Sequence, residues 1–244
     1  MNLIRPLLEP LAIALELPLG EEAYVRFERL YQSMVTDPLY PSVSKISDPS
    51  DIVNKHFIDS LAPLCLDLDC FPGQGGRVLD IGCGGGFPIL PLAIVLTDLS
   101  FCAMDAKDKA VEFVARMATA TGLRNLTTRH ARAEEAAREK NTRERFDLVI
   151  CRAVAEVRVL VELCLPLVKV GGCALFYKGP KLDEELAAAM HAFEELQVEP
   201  ADLTTRTLTP PTLPFERGYV LIRKRKPSPE KYPRRNGVPA AKPL

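Results

Sequence analysis

Several features that would assign this chain of 244 residues to a metal or redox class are missing. The seven cysteines include no C-x-x-C pair, so neither a zinc site nor a redox dithiol is supported. The three histidines, His56, His130 and His191, are too dispersed in the sequence to form a metal site. We therefore expect no bound metal, and we expect reduced, buried cysteines of the kind found in cytosolic proteins.

Long apolar runs and a strong charge of one sign are also missing. The longest apolar run, residues 87–96, is too short to span a bilayer and contains two prolines. Glu9, Glu16 and two prolines interrupt the apolar N-terminal stretch, which does not read as a signal peptide. A formal net charge of -1 argues against bulk nucleic-acid binding, so any such partner must contact local patches. We expect a cytoplasmic protein with no membrane partner.

The most informative stretch is residues 77–87, R-V-L-D-I-G-C-G-G-G-F. It predicts a strand, a glycine turn and then a helix that begins near Pro88. Because glycine lets backbone N–H groups approach a ligand closely, Gly82, Gly84 and Gly86 are candidates for a cofactor cradle. Phe87 stands where a dinucleotide-binding turn has its third glycine, and no Gly-Lys-Ser/Thr sequence supports a P-loop. The D-x-G-x-G-x-G pattern that is left resembles motif I of the class I S-adenosylmethionine-dependent methyltransferases; the alternative is an ordinary glycine-rich turn.

Strand and helix patterns alternate after this turn. They predict strands at 77–81, 99–104, 126–129, 146–151, 173–177, 203–208 and 219–223, with helices at 88–96, 107–121, 157–168 and 181–196. Two helices in 3–35 and one from the N-cap Asp48 to about residue 66 precede them. The alternation predicts an α/β fold with a mostly parallel sheet covered by helices on both faces. We expect an N-terminal helical extension (1–70), a cofactor-binding domain (71–223) and a basic, proline-rich, semi-extended C-terminal arm (224–244).

Polar residues at the ends of predicted strands are the candidates for the site. Asp105 is placed to accept hydrogen bonds from ribose hydroxyls, or it is only a helix N-cap. Ala133 and Glu134 follow the third strand, where they would sit beside an adenine, although a helix start has the same composition. Arg152 and Lys178 end the fourth and fifth strands, where cations suit an anionic substrate. A solvated or ion-paired strand end is the alternative for Arg152.

Several longer motifs carry a family resemblance. They are D-P-x-D-I-V-x-K-H-F-I-D-S-L (48–61), V-L-D-I-G-C-G-G-G-F-P (78–88), R-A-E (132–134), F-D-L-V-I-C-R-A (146–153), L-C-L-P-L-V-K-x-G-G (163–172) and P-x-K-Y-P-R-R-x-G-x-P (229–239). Together they resemble the bacterial small-subunit ribosomal RNA guanine-N7 methyltransferases, the glucose-inhibited division protein B family. The chain departs from the family pattern at Ser42-Val43-Ser44 and at Asp105-Ala106.

The resemblance implies a class I, Rossmann-like methyltransferase with S-adenosylmethionine as cofactor. The partner it implies is small-subunit ribosomal RNA or the assembling 30S subunit, bound by a monomer. The cofactor contacts it supports are Gly82, Phe87, Ala133, Glu134 and Arg152, beside Gly84, Gly86 and Asp105 from the turn and strand. The candidate RNA-binding residues are Asn54, Lys55, His56, Lys178, Lys231, Arg234 and Arg235. Arg152 and His56 are the candidates for a catalytic role; a partly buried structural histidine is the alternative for His56.

Two other functions stay open at this point. One is a methyltransferase for a small molecule or a protein, which should not need the basic arm. The other is a non-catalytic RNA-binding assembly factor that keeps the cofactor fold, against which the intact glycines and Asp105 count. The missing N-P-P-Y-type motif after the fourth strand, where the chain has R-A-V-A, disfavours methylation of an exocyclic amine.

Overall fold

The computed structural model describes residues 2–17, 19–209 and 216–244, and these form a seven-stranded sheet. The strands are Arg77–Ile81 (β1), Ser100–Asp105 (β2), Leu126–His130 (β3), Phe146–Arg152 (β4), Val168–Lys178 (β5), Leu203–Leu208 (β6) and Arg217–Arg223 (β7). Their order is β3-β2-β1-β4-β5-β7-β6, with β1 to β5 parallel and β7 antiparallel to both of its neighbours. The predicted α/β fold with a mostly parallel sheet is confirmed.

Helices cover the sheet. The α-helices are Arg5–Ala14, Glu21–Thr36, Tyr40–Val43, Pro49–Ile52, Asp59–Leu61, Ile89–Val95, Asp108–Thr121, Ala133–Ala136, Val157–Cys164, Leu182–Ala188, Met190–Glu195 and Val238–Ala241. Residues Val53–Ile58 form a π-helical turn, and Ala62–Cys65, Leu165–Leu167 and Pro200–Asp202 are 3₁₀ turns. Asp48 caps the segment 49–65 by accepting the Asp51 N–H at 3.0 Å, as its sequence predicts. Among the described residues, no helix is long and apolar enough to cross a membrane.

Two hydrophobic cores lie on opposite faces of the sheet, because side chains alternate along each strand. Val78 of β1 points to a core formed with the N-terminal helices, segment 49–65 and helices Ile89–Val95 and Asp108–Thr121. We call this side the N-terminal face. Leu79 points to the other core, formed with helices Val157–Cys164, Leu182–Ala188 and Met190–Glu195 and with Tyr232 near the C-terminus. We call this side the C-terminal face.

Three predicted elements differ from the structure by more than two residues or by an interruption. The helix predicted for 157–168 ends at Cys164, because Pro166 has no N–H to continue the hydrogen-bond ladder. The turn predicted at Gly171-Gly172 lies inside β5, where the register with β4 shifts and where a Cβ on Gly172 would stand 2.5 Å from the Asp147 carbonyl oxygen. The helix predicted for 181–196 is interrupted at Ala189, whose N–H bonds three residues back to the Leu186 carbonyl at 3.1 Å.

The prediction of a semi-extended basic arm at 224–244 was wrong. The segment folds back onto the C-terminal face, where Tyr232 is buried and Arg234 pairs with the fully buried Glu162 at 2.6 Å. It also ends in the short helix Val238–Ala241, which a semi-extended arm would not contain. Pro239 lies in the first turn of that helix, where the missing N–H removes no intrahelical hydrogen bond.

Candidate functional site

The glycine turn after β1 forms as predicted. Gly82, Gly84 and Gly86 all have positive φ, and the helix Ile89–Val95 follows. A Cβ on Gly82 would lie 2.5 Å from Cγ2 of Val154, so only glycine fits beneath that side chain. The Gly84 N–H donates to the Asp105 carboxylate at 2.9 Å and ties the turn to the end of β2. The Gly82 N–H donates to the Met104 carbonyl at 2.8 Å, so the amides of Gly82 and Gly84 are both occupied within the protein.

Asp80, the acid of the motif, is fully buried at the end of β1. Neither carboxylate oxygen has a hydrogen-bond partner among the described residues, and the nearby Ile89 N–H does not reach bonding geometry. Burial raises the pKa of Asp80 well above its ordinary range, and the positive charge of Arg152 opposes that shift. A buried carboxylate without a partner destabilises the chain, so its position is suited to an incoming cationic group.

A cavity of about 230 Å³ opens beside the turn, and we call it the glycine-turn cavity. The predicted cofactor residues that line it are Gly82, Asp105, Ala133 and Glu134. Val154 and Ala155 form part of its wall, and Ala240 reaches it from the C-terminal segment. The cavity lies at the carboxyl ends of β1 and β2, which is where open parallel sheets bind their ligands.

Glu134 is the buried acid of this cavity, with 5% of its surface exposed. Its Oε1 accepts the Arg132 guanidinium at 3.0 Å and the Gly237 N–H at 2.9 Å. Burial raises the pKa of Glu134, but the hydrogen bonds from Gly237 and Arg132 outweigh burial, and the net effect is a lowered pKa. Glu134 is therefore an ionised acceptor, and its Oε1 is already engaged by protein groups.

A second cavity of about 360 Å³ lies on the other side of the segment 152–155, and we call it the cationic cavity. Its charged lining is mainly basic and consists of Lys55, Arg152, Lys178 and Arg217, with Asp59 and Glu185 as the acids. Arg152 and Ala153 line this cavity, while Val154 and Ala155 line the glycine-turn cavity. Ala153 has a φ of +59°, a strained value for a residue with a Cβ, at the point where the two cavities adjoin.

Asp59 organises the arginines of the cationic cavity. It is 1% exposed, its Oδ2 accepts Arg152 Nη1 at 2.7 Å, and its Oδ1 accepts Arg217 Nε at 2.7 Å. Arg217 Nη2 also donates to Oδ2 at 3.2 Å, and Arg152 Nη1 donates to the Lys55 carbonyl at 3.2 Å. One buried carboxylate thus orients two guanidinium groups at the wall of the cavity.

His56 stacks on Phe87, with ring centroids 4.1 Å apart and planes inclined by 7°. Its Nε2 lies 3.1 Å from the Ser44 hydroxyl, at one of the positions where the chain departs from the family pattern. Burial, with a smaller contribution from the charge of Arg152, lowers the pKa of His56 to about 3. His56 is thus uncharged near neutral pH and holds Phe87 by a ring contact, on the side of the turn that faces the cationic cavity.

Lys178 anchors the segment between the cavities. Its Nζ donates to the Ala155 carbonyl at 2.8 Å and pairs with Glu185 at 2.5 Å. Glu185 in turn accepts the Val157 N–H at 2.9 Å. Only 9% of the Lys178 side chain is exposed, so the structure places this predicted RNA-binding residue in the cavity wall, with its charge already paired.

The other predicted RNA-binding residues lie on two different faces. Lys55 is partly exposed at the cationic cavity and pairs with Asp51 at 2.9 Å, and Asn54 on the same helical segment accompanies it. Lys231 and Arg234 belong to the C-terminal face, where they pair with Glu195 and Glu162 at 2.6 Å each. Arg235 is exposed and forms no ion pair with any described residue. The structure therefore does not gather these residues into one patch.

Three functional candidates were not predicted as site residues. Asp80 belongs to the motif I pattern, and Asp59 lies one helical turn after His56 in H-x-x-D-S-L, so both had a sequence signal. Arg217 had none, because it reaches Asp59 across 158 positions of sequence. No cluster of potential metal ligands occurs in the described part of the chain.

The donor set fits S-adenosylmethionine. The partnerless Asp80 carboxylate suits a cationic amino-acid end, and Gly82 adds no side chain to the wall of the cavity. The cation that lines the cavity, Arg132, pairs with Glu134 at 3.0 Å. Asp105 and Glu134 supply acceptors in the wall of the cavity.

Comparisons with solved structures agree with the fold. A crystal structure of a putative O-methyltransferase from Klebsiella pneumoniae matches with a TM-score of 0.54 and 16% identity, covering 91% of this chain and 97% of that one. A putative S-adenosyl-L-methionine-dependent methyltransferase from Methanococcus maripaludis matches with a TM-score of 0.53 and 14% identity, over 82% and 94% of the two chains. At these identities the likeness shows a shared fold.

Sequence comparisons give the family. The ribosomal RNA small subunit methyltransferase G of Lactobacillus johnsonii is 39% identical over 226 residues, which is 93% of each chain. The protein of that name from Desulforamulus reducens is 37% identical over 244 residues, the whole of both chains. The family model described as rRNA small subunit methyltransferase G matches residues 27–209. The chain therefore belongs to the rRNA small subunit methyltransferase G family.

Proposed function

We propose that this protein transfers the methyl group of S-adenosylmethionine to N7 of a guanine in small-subunit ribosomal RNA. The observation that carries the proposal is the pair of adjoining cavities. The glycine-turn cavity presents the acidic acceptors Asp105 and Glu134, and the cationic cavity on the other side of segment 152–155 presents Lys55, Arg152 and Arg217. A cofactor in the first and an RNA nucleotide in the second would meet at the carboxyl end of β4.

Methyl transfer to N7 requires the protein mainly to align the acceptor nitrogen with the methyl group. The bound cofactor supplies a methyl group activated by its sulfonium. N7 of guanine has a free lone pair at neutral pH, so the acceptor needs no general base. His56 agrees with this requirement, because burial keeps its pKa at about 3 and its ring is committed to the contact with Phe87. The role of the site is to hold the acceptor in line, which is a proximity effect.

Different charged side chains would bind the two ligands. Asp80 would accept the cationic end of the cofactor, and Arg152 and Arg217, both oriented by Asp59, would donate hydrogen bonds to the nucleotide. Lys55 adds a partly exposed cation at the mouth of the cavity. This local arrangement explains how a chain with a net charge of -1 can bind RNA.

A methyl-transfer assay tests the proposal. Small-subunit ribosomal RNA and 30S particles from cells that lack the enzyme are incubated with the protein and with cofactor labelled in its methyl group. We expect label in the RNA and cleavage at one guanine after borohydride and aniline treatment, which detects N7-methylguanosine. Arg152→Met serves as a control that should transfer the methyl group more slowly than the unmodified protein, because the change removes the guanidinium from the cationic cavity. Unlabelled RNA, together with labelling of another substrate, contradicts the proposal.

A calorimetric titration with S-adenosylmethionine separates the enzyme from a non-catalytic assembly factor, which has no reason to keep cofactor affinity. We further propose that the protein acts as a monomer in the cytoplasm, where ribosomal subunits are assembled. In this proposal residues 1–70 are an extension packed on the N-terminal face, and 71–223 are the methyltransferase domain. Sedimentation of the protein alone and with RNA measures the oligomeric state.

A further inference from the structure

The C-terminal segment is held to the C-terminal face by polar contacts along its length. Lys224 Nζ is buried and pairs with Glu144 at 2.6 Å, and Tyr232 donates its hydroxyl proton to Glu195 at 2.5 Å. Arg143 donates to three carbonyl oxygens of the segment, those of Ser228, Pro229 and Tyr232, at 3.0, 3.3 and 2.9 Å. An arginine of the domain thus takes up backbone acceptors that a free arm would leave to water.

The basic residues of the segment are mostly neutralised within the protein. Five of its seven lysines and arginines are in ion pairs: Lys224 with Glu144, Arg225 with Asp202, Lys226 with Glu199, Lys231 with Glu195 and Arg234 with Glu162. Arg234 contacts both oxygens of Glu162, which is 0% exposed. Breaking that pair would leave a buried charge without a partner, so the segment is held to the surface at Arg234.

The end of the segment reaches the glycine-turn cavity. Asn236 donates to Glu135, and the Gly237 N–H donates to Oε1 of the buried Glu134 at 2.9 Å. Gly237 has a φ of +77°, which turns the chain so that the helix Val238–Ala241 begins over the cavity. Ala240 of this helix lines the cavity beside Asp105 and Ala133.

We propose that residues 236–244, the C-terminal strap, form one wall of the glycine-turn cavity and determine its affinity for the cofactor. The strap acts in two ways: the Gly237 N–H fixes the Glu134 carboxylate, and the helix Val238–Ala241 closes the side of the cavity that Ala240 lines. This proposal depends on the proposed function for one point only, which is that the ligand of the cavity is S-adenosylmethionine. It assigns the strap to the cofactor rather than to RNA.

Three variants test the strap by calorimetric titration with S-adenosylmethionine, without any turnover. The first ends at Arg235, so that it loses the strap but keeps the Arg234 pair with Glu162. The second is Ala240→Phe, which fills the cavity from the strap side. The third, Ala241→Phe, is the matched control, because Ala241 is exposed on the same helix and does not line the cavity. Thermal unfolding without ligand shows whether each variant is folded.

We expect the truncated chain and Ala240→Phe to bind the cofactor about ten-fold or more weakly, as expected for the loss of a hydrogen bond to a charged group or of cavity space. Ala241→Phe should bind like the full chain. A truncated chain with unchanged affinity overturns the proposal, and so does an Ala240→Phe variant that matches Ala241→Phe. If the truncated chain does not fold, the two alanine variants decide alone.

The outcomes also separate the strap from the proposed function. A full chain that binds S-adenosylmethionine in a strap-dependent way but leaves ribosomal RNA unlabelled refutes the proposed function and supports the strap. A full chain that methylates the RNA, with a truncated form of equal cofactor affinity, refutes the strap alone. A full chain without affinity for S-adenosylmethionine refutes both. If the truncation lowers only the affinity for RNA, the segment is an RNA-binding arm.

Discussion

Replacing Asp59 by asparagine tests whether one buried carboxylate organises the cationic cavity. The change keeps the size of the side chain but removes the charge that Arg152 and Arg217 share at 2.7 Å each. Removing one partner of a buried ion pair lowers the free energy of unfolding by about 3–5 kcal/mol. Because the arginine side chains are 15% and 25% exposed, water relieves part of the repulsion, and we expect the lower end, about 3 kcal/mol. For a chain of this length that loss lowers Tm by about 10 °C.

The same variant should lose methyl transfer for a different reason. With the carboxylate gone, the Arg152 and Arg217 guanidinium groups no longer have a fixed position at the wall of the cavity. Misplacing a positioning group by about 1 Å reduces a reaction rate by about a hundred-fold. We therefore expect Asp59→Asn to methylate ribosomal RNA about a hundred-fold more slowly, measured at a temperature where urea titration shows the variant to be folded. Cofactor affinity should stay close to that of the unmodified protein, because Asp59 does not line the glycine-turn cavity.

Asp202→Asn is the matched control. Asp202 is also buried, at 2% exposed, and pairs with an arginine, Arg225, but it lines neither cavity. This variant should lose stability without losing turnover per folded molecule. The reasoning about Asp59 is refuted if Asp59→Asn stays within about 0.5 kcal/mol of the unmodified protein, the range of ordinary surface substitutions. It is also refuted if the two variants lose activity equally.

Two further predictions concern single side chains. The His56 pKa of about 3 lies below its unfolded value of about 6.5, so between these pH values the unfolded chain binds a proton that the folded chain does not, and stability falls as the pH falls. Between pH 7 and pH 5 this histidine lowers the free energy of unfolding by about 2 kcal/mol. Urea titrations at the two pH values should therefore show a smaller decrease for His56→Phe than for the unmodified protein, and equal decreases would contradict the lowered pKa of His56. Lys178→Met should slow methyl transfer about ten-fold by freeing the Ala155 carbonyl, without changing the salt dependence of RNA binding. A salt slope smaller by about 1 would instead show that Lys178 contacts a phosphate.

The predictable part of the fold consists of local elements whose signals lie within a few residues of one another. The stretch 77–87 contains its own apolar strand, its glycines and the start of its helix, so strand, turn and helix follow from neighbouring residues. Asp48 as an N-cap is a similar case. The same holds for the fold class, because alternating strand and helix patterns allow few arrangements other than a mostly parallel sheet.

The candidate site was predictable only where a strand end marks it. Gly82, Asp105, Ala133 and Glu134 line one cavity because the carboxyl ends of parallel strands meet at one edge. The positive charge of the C-terminal segment, by contrast, led to the wrong prediction of a semi-extended arm. A basic, proline-rich composition is typical of a semi-extended arm. It does not reveal that Glu144, Glu162 and Glu195 lie where they form ion pairs with the basic side chains of the segment.

By itself the sequence determined the strands, the glycine turn, the type of cofactor and the family, because each depends on short-range patterns or on motifs that stay together along the chain. Only the tertiary structure decided which charges are free. Asp59 meets Arg217 across 158 positions, and Gly237 meets Glu134 across 103, so neither pairing has a local signal. Ion pairs form wherever packing brings opposite charges within a few ångströms in a medium of low dielectric constant, and the packing is a property of the whole chain.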